Sequence, residues 1–276
     1  MEALQASRVA LVGGGMMAEA LIRGILGKGL VPPEQIIASD PMPGRRAHLS
    51  EILGVQTTDS NAAAVAGAGI IVLAIKPQTL GKVLAELSGQ VESSVLLLTI
   101  VAGAKIRTIQ KALGVPAIVR IMPNTPGQIG EGMSAWTATP ETSPEQREQA
   151  KAIIRALGEE IYVEDEHHVD MATALSGSGP AYVFLIIEAL IDVGVQLGFA
   201  RPVAEKLVLQ TIKGSATFAQ QSGMHPTILR NMVTSPGGTT AEALYQLEKG
   251  GLRTTLAQAV WAAYQKAEQL GSLDKE

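Results

Sequence analysis

Apolar residues in this chain follow two rhythms, and the change between them divides it. In the first part, short and almost uninterrupted apolar runs cover Arg8–Val12, Gln35–Ser39, Gly69–Ile75, Ser94–Ile100 and Pro116–Ile121. Between them apolar side chains recur every three or four residues, which predicts helices over Glu19–Leu26, Ala62–Ala66, Lys105–Leu113 and through Leu80, Val83, Leu84 and Leu87. Strands apolar on both faces, joined by amphipathic helices, predict a parallel sheet covered on both sides. The segment Gly132–Ala138, a helix around Glu145–Leu157 and a strand over Glu159–Val163 complete this layer. Beyond Glu166 the strand pattern ceases. Leu175–Tyr182, rich in Gly, Ser and Pro, reads as a break before a long apolar helix through Phe184, Leu190 and Val195; further helices are predicted over Pro202–Gln220 and Leu252–Leu270. Leu256, Val260 and Ala263 in the last have the spacing of a buried stripe. The expected organisation is an α/β domain over residues 1–164 and an all-α domain over 165–276.

Composition narrows the chemistry. The 276 residues include no Cys, which excludes disulfides, thiolate metal sites and a Cys nucleophile and fits a reducing cytoplasm. A net charge of −4 with 3% aromatic residues gives no reason to expect a nucleic-acid partner. Met1–Arg8 lacks a basic stretch followed by an apolar one, and no apolar run was found to reach the roughly 18 residues of a spanning helix, so no membrane segment is expected. His167 and His168 are adjacent, hence on different helix faces, and no third ligand accompanies them; no metal site is predicted.

Candidate chemistry starts at the first strand. Gly13-Gly14-Gly15-Met16-Met17-Ala18 joins an apolar run to a helical one and carries G-x-G-x-x-A, the fingerprint of a dinucleotide-binding turn. Gly13 allows the tight turn, Gly15 admits the pyrophosphate to the backbone, and Ala18 lets the helix lie close to the strand. Asp40 ends the second strand where the fold reads the ribose. It would accept from the 2′-hydroxyl of NAD, whereas Arg45 and Arg46 just beyond would suit the 2′-phosphate of NADP, and the two cues oppose each other. Strand ends at Ala74–Pro77, Thr99–Gly103 and Met122–Pro126 line the same edge of a parallel sheet. Farther on, Val233-Thr234-Ser235-Pro236-Gly237-Gly238-Thr239-Thr240 precedes a run of helix formers, with Thr239 or Thr240 expected as N-cap. Free N–H groups and the helix dipole there suit a small carboxylate.

Two long motifs, Ala174–Tyr182 and Val233–Thr240, supported by Ala74-Ile75-Lys76-Pro77 and Met122–Pro126, make the chain resemble the pyrroline-5-carboxylate reductases from Val9 to about Gly271. The resemblance implies an N-terminal Rossmann-type domain and a C-terminal helical domain that interlocks with its twin in a homodimer, or in a ring of dimers such as a decamer. It implies reduction of 1-pyrroline-5-carboxylate to L-proline with NADPH or NADH, NADPH being slightly favoured, in the cytoplasm and as the last step of proline biosynthesis. Gly13, Gly15, Met16, Met17, Ala18, Ser39, Asn61, Ala74, Lys76, Pro77, Ala102 and Asn124 are thereby expected at the cofactor. Val233, Gly238, Thr239, Thr240, Ser178 and Pro180 are expected around the substrate, with its carboxylate on the N–H groups of Gly238 and Thr239 and its nitrogen on the Thr240 hydroxyl. A β-hydroxyacid dehydrogenase on the same architecture would need a lysine in the helix after the first domain, and none occurs between Lys151 and Lys206.

Overall fold

A computed structural model describes Leu4 and residues 7–272. The reading made on Met1–Arg8 lies largely outside this range. Eight strands form one sheet in the order β3-β2-β1-β4-β5-β6-β7-β8. They are β1 (Val9–Val12), β2 (Ile36–Ser39), β3 (Gln56–Thr58), β4 (Ile70–Leu73), β5 (Leu96–Thr99), β6 (Ile118–Met122), β7 (Gly132–Ala138) and β8 (Gly158–Tyr162). All neighbours run parallel except β6 and β7.

The order reverses at β1, and the period of two along a strand fills both faces of the sheet. Val9 and Leu11 face one core, with Ile22 and Ile25 of α1 (Met16–Gly27) and Ile153 of α6 (Pro144–Ile154). Ala10 and Val12 face the other, with Leu84 and Leu87 of α4 (Leu80–Leu87) and Ile109 of α5 (Ile106–Leu113). Two short helices, α2 (Pro43–Leu53) and α3 (Asn61–Val65), flank β3. The sequence reading passed over β3, because Gln56-Thr57-Thr58 is a polar, partly exposed edge strand without an apolar signal.

Helix α7 (Glu166–Ala172) leads through a π-helical turn, Thr173–Gly177, into α8 (Gly179–Gln196). The predicted break at Leu175–Tyr182 is therefore a continuous helix in which the π-turn accommodates the glycines. This run, Glu166–Gln196, is by length and composition long and apolar enough to cross a membrane, contrary to the expectation that no such stretch exists. The remaining helices are α9 (Arg201–Ser222), α10 (Pro226–Met232), α11 (Thr239–Lys249) and α12 (Leu252–Ser272).

Two compact units result. One runs through the sheet to Gly179 and takes up the chain again from Ala262; the other is Pro180–Trp261. The change of composition at 164/165 is thus not where the contacts divide, since α7 and the π-turn group with the sheet. In the second unit Gly194 of α8 lies against Ala204 of α9 so closely that an added Cβ would stand 2.9 Å from the alanine Cβ. Phe184, Leu185, Leu209 and Phe218 on these two helices are nevertheless exposed, and the predicted stripe on α12 is open at Leu256, 38% exposed.

Within the first unit a cluster of charges ties α7 to the sheet. Arg120 of β6 is 1% exposed; it donates to Asp170 Oδ1 at 2.5 Å and to Glu166 Oε1 at 2.8 Å. Lys105 bonds the other Asp170 oxygen, and the Ile106 N–H donates to Glu166 Oε1 at 2.9 Å. Removing one partner of a buried ion pair leaves the other charge desolvated and uncompensated. Asp170→Ala is expected to lower unfolding free energy by about 3–5 kcal/mol in urea titration, and Glu166→Gln, at a half-buried position, by clearly less.

Candidate functional site

The site begins where β1 gives way to α1. Gly13 has φ of +99°, and a Cβ there would stand 2.5 Å from the carbonyl oxygen of Ala74. At Gly15, the extended N-cap of α1, nothing lies within 4 Å of where a Cβ would be. The N–H groups of Gly15, Met16 and Met17 find no partner among the described residues. Room beside the Gly15 Cα together with unpaired donors at a helix start fits a pyrophosphate.

Beside this turn lies a cavity of about 260 Å³ whose lining includes Gly13, Ser39, Pro41, Asn61, Lys82 and Glu86. The Ser39 hydroxyl donates to Asn61 Oδ1 at 2.7 Å, and Asn61 Nδ2 donates to Glu86 at 2.9 Å, so both polar residues are held in place before any ligand arrives. Ala74 and Lys76-Pro77 follow β4, and the Lys76 carbonyl accepts from Thr79 at the start of a 3₁₀ turn. Ala102 follows β5 beside Gly103, and Asn124 follows β6. The Asn124 side chain is engaged on both sides: its amide donates to the Ser176 hydroxyl at 3.2 Å and its oxygen accepts from the Met133 N–H at 2.9 Å. Ser178 lies just past the π-turn, with its N–H donating to the Thr173 carbonyl at 2.8 Å.

The ribose-reading cues are differently disposed. Asp40 accepts from the Gly14 N–H at 3.0 Å and from the Met42 N–H at 2.9 Å. Arg46 donates to the carbonyls of Asp40 and Pro41 at 2.7 and 3.1 Å. Arg45 turns to the glycine loop and to Glu19. Sequence reasoning missed Glu19, whose only signal was an acid in the first turn of a helix. Burial of Glu19 would raise its pKa, but hydrogen bonds from Arg23, Arg45 and His48 outweigh it and lower the pKa to about 2.

Pro180 and Val233–Thr240 belong to the second unit. Gly238, not either threonine, is the N-cap of α11, because its backbone is extended and its N–H already donates to the Ser235 carbonyl at 3.0 Å. Thr239 and Thr240 therefore occupy the first helical turn, and their N–H groups find no partner among the described residues. Val233, 66% exposed, caps the end of α10.

Two family models match the chain. Residues 8–103 match the family described as NADP oxidoreductase coenzyme F420-dependent, and residues 166–270 match the one described as pyrroline-5-carboxylate reductase dimerisation. The pyrroline-5-carboxylate reductase of a Synechocystis species is 41% identical over 96% of this chain and 98% of its own length. The chain belongs to the pyrroline-5-carboxylate reductase family. The Arabidopsis thaliana member is 36% identical over 95% of both chains. A Plasmodium falciparum pyrroline carboxylate reductase solved with NADP bound superposes with a TM-score of 0.89 at 34% identity, covering 98% of this chain and 100% of that one. Pyridine-nucleotide binding and a tendency to oligomerise are properties this family membership supports.

The Glu19 cluster makes stability depend on pH with a defined sign. Its folded pKa of about 2 lies below the ordinary value of 4.5, so the cluster stabilises fully above about pH 4.5 and loses that contribution as pH falls towards 2. Unfolding midpoints of Glu19→Gln are expected to vary less with pH than those of the wild type across that window.

Proposed function

We propose that the protein reduces 1-pyrroline-5-carboxylate to L-proline with NADPH or NADH, the last step of proline biosynthesis, as a cytoplasmic homodimer. The reading is carried by identity of 36–41% to pyrroline-5-carboxylate reductases over nearly the whole chain. The bound nicotinamide would supply a hydride to the imine carbon. Unpaired N–H groups of Gly15, Met16 and Met17 would hold the pyrophosphate, with Ser39 and Asn61 at the adenosine ribose and Ala74, Lys76 and Pro77 at the nicotinamide half. For the substrate, the Gly238 N–H is already used within its turn, so the carboxylate is assigned to the N–H groups of Thr239 and Thr240 at the positive end of α11. The Thr240 hydroxyl would hold the ring nitrogen. Because a protonated imine is already activated, Thr240 need orient it only and then accept the product amine's N–H. Val233 and Pro180, of the same unit as Thr240, are proposed as further substrate residues.

NADPH is favoured by charge. Glu86 of the cavity is bound to Asn61, and Asp59 lies 3.9 Å from Arg46, whereas Lys82 in the same lining has no partner among the described residues. An ammonium so placed suits a 2′-phosphate. Oxidation of NADPH and NADH should be followed in parallel with 1-pyrroline-5-carboxylate; turnover with a lower KM for NADPH is expected, and nucleotide binding without turnover would overturn the reaction. Thr240→Ala is expected to lower kcat/KM by roughly ten- to a thousandfold, the range of a lost transition-state hydrogen bond.

Exposed Phe184, Leu185, Leu209 and Phe218 on α8 and α9 support a second copy as the missing layer. Sedimentation should give at least a dimer, and Leu185→Glu should shift it towards monomer, whereas a larger ring would sediment as a multiple of the dimer.

A further inference from the structure

Arg45 has the position of a 2′-phosphate ligand in the sequence but not its orientation. From α2 its Nε donates to the Gly14 carbonyl, its Nη2 donates to the Gly15 carbonyl at 3.3 Å, and the same Nη2 meets Glu19 Oε2 at 2.5 Å. Glu19, one turn along α1, also accepts from Arg23 at 2.6 Å and lies 3.3 Å from His48 Nε2, so Arg23, Arg45 and His48 all converge on it. Across the loop, Asp40 holds the Gly14 N–H at 3.0 Å.

The geometry of the peptide bond gives these contacts a consequence. In a trans peptide the C=O and the following N–H point in opposite directions, and every described peptide here is trans. The Gly15 carbonyl also accepts from the Glu19 N–H at 3.0 Å as the first bond of α1, so the hold that is Arg45's own is on the Gly14 carbonyl; drawing that carbonyl towards Arg45 turns the Gly15 N–H the other way. A glycine loop left alone samples many orientations, and each one lost on binding weakens affinity.

We propose that Arg45 is a positioning residue of the nucleotide site, holding the Gly14 carbonyl and adding to the helix's own hold on that of Gly15, so that the Gly15 N–H is turned to the pyrophosphate, with Glu19 fixing the guanidinium. This rests on the nucleotide-binding reading above. The proposed contact is to a part common to both cofactors, which separates it from a 2′-phosphate role.

Dissociation constants of NADPH and NADH should be measured by quenching of protein fluorescence for the wild type, Arg45→Ala, Arg45→Lys and Glu19→Gln. Arg45→Ala is expected to weaken both nucleotides by the same factor, about tenfold, with kcat at saturating cofactor nearly unchanged. Arg45→Lys should recover little of this, since one ammonium cannot span two carbonyls and a carboxylate. Glu19→Gln should weaken both about threefold, because the guanidinium loses its charged anchor. Loss confined to NADPH would make Arg45 a 2′-phosphate ligand and overturn the proposal. Tighter binding by Glu19→Gln would mean that a freed Arg45 grips the pyrophosphate directly, and would overturn it too; this variant decides the matter even if Arg45→Ala fails to fold. Unchanged affinities in both variants would refute Arg45 alone, whereas a wild type that binds neither nucleotide would refute the nucleotide reading beneath it.

Discussion

A guanidinium in the middle of a buried strand dictates much of how the first unit is assembled. Arg120 cannot leave water without partners, and a lone buried charge costs several kcal/mol. Asp170 and Glu166 meet it from α7, four residues apart and so on one helix face, and Lys105 at the start of α5 balances the second Asp170 oxygen. The start of α7 is thereby fixed against β6. The π-turn that follows is held in turn by Asn124, at the end of the same strand. One ionic cluster and one amide thus fix both ends of the segment leading to Ser178.

Much of the α/β layer was legible because its strands are buried on both faces, where only apolar side chains are tolerated. β1, β4 and β5 announce themselves for that reason, and the glycine turn after β1 is visible because no other residue fits at Gly13. What stayed hidden was polar or relational. β3 has the composition of a loop and is a strand only because β2 offers it an edge. The π-turn looked like a helix breaker, since a Ser-Gly-Ser-Gly-Pro stretch ends most helices, yet here a widened turn lets the chain continue. The apolar window this creates escaped notice for the same reason.

The candidate site shows the same division. Residue types at the glycine loop, the strand ends and the Pro-Gly-Gly-Thr-Thr turn were readable one by one. Their hydrogen-bond allegiances were not. Asp40 and Arg45 carry the charges expected of ribose and phosphate ligands, but the main chain of the glycine loop claims both, because backbone groups beside them would otherwise lack partners. At α11 a shift of one residue in the cap changes which N–H groups remain for a ligand. Such choices depend on neighbours distant in sequence, and no local pattern records them.

The two outer members of the glycine triplet answer to different masters. Gly13 is small because the neighbouring strand's backbone passes where its side chain would be, so the requirement exists in the empty protein and belongs to the architecture. Gly15 faces a void, so nothing in the empty protein forbids a methyl group there. An inactive enzyme with a side chain at the first position would say little about the cofactor, since the sheet itself would have shifted. The same change two residues later would leave the scaffold standing and withdraw only the room in which a ligand lies. Of the two glycines of one motif, the second alone is a clean reporter of what binds.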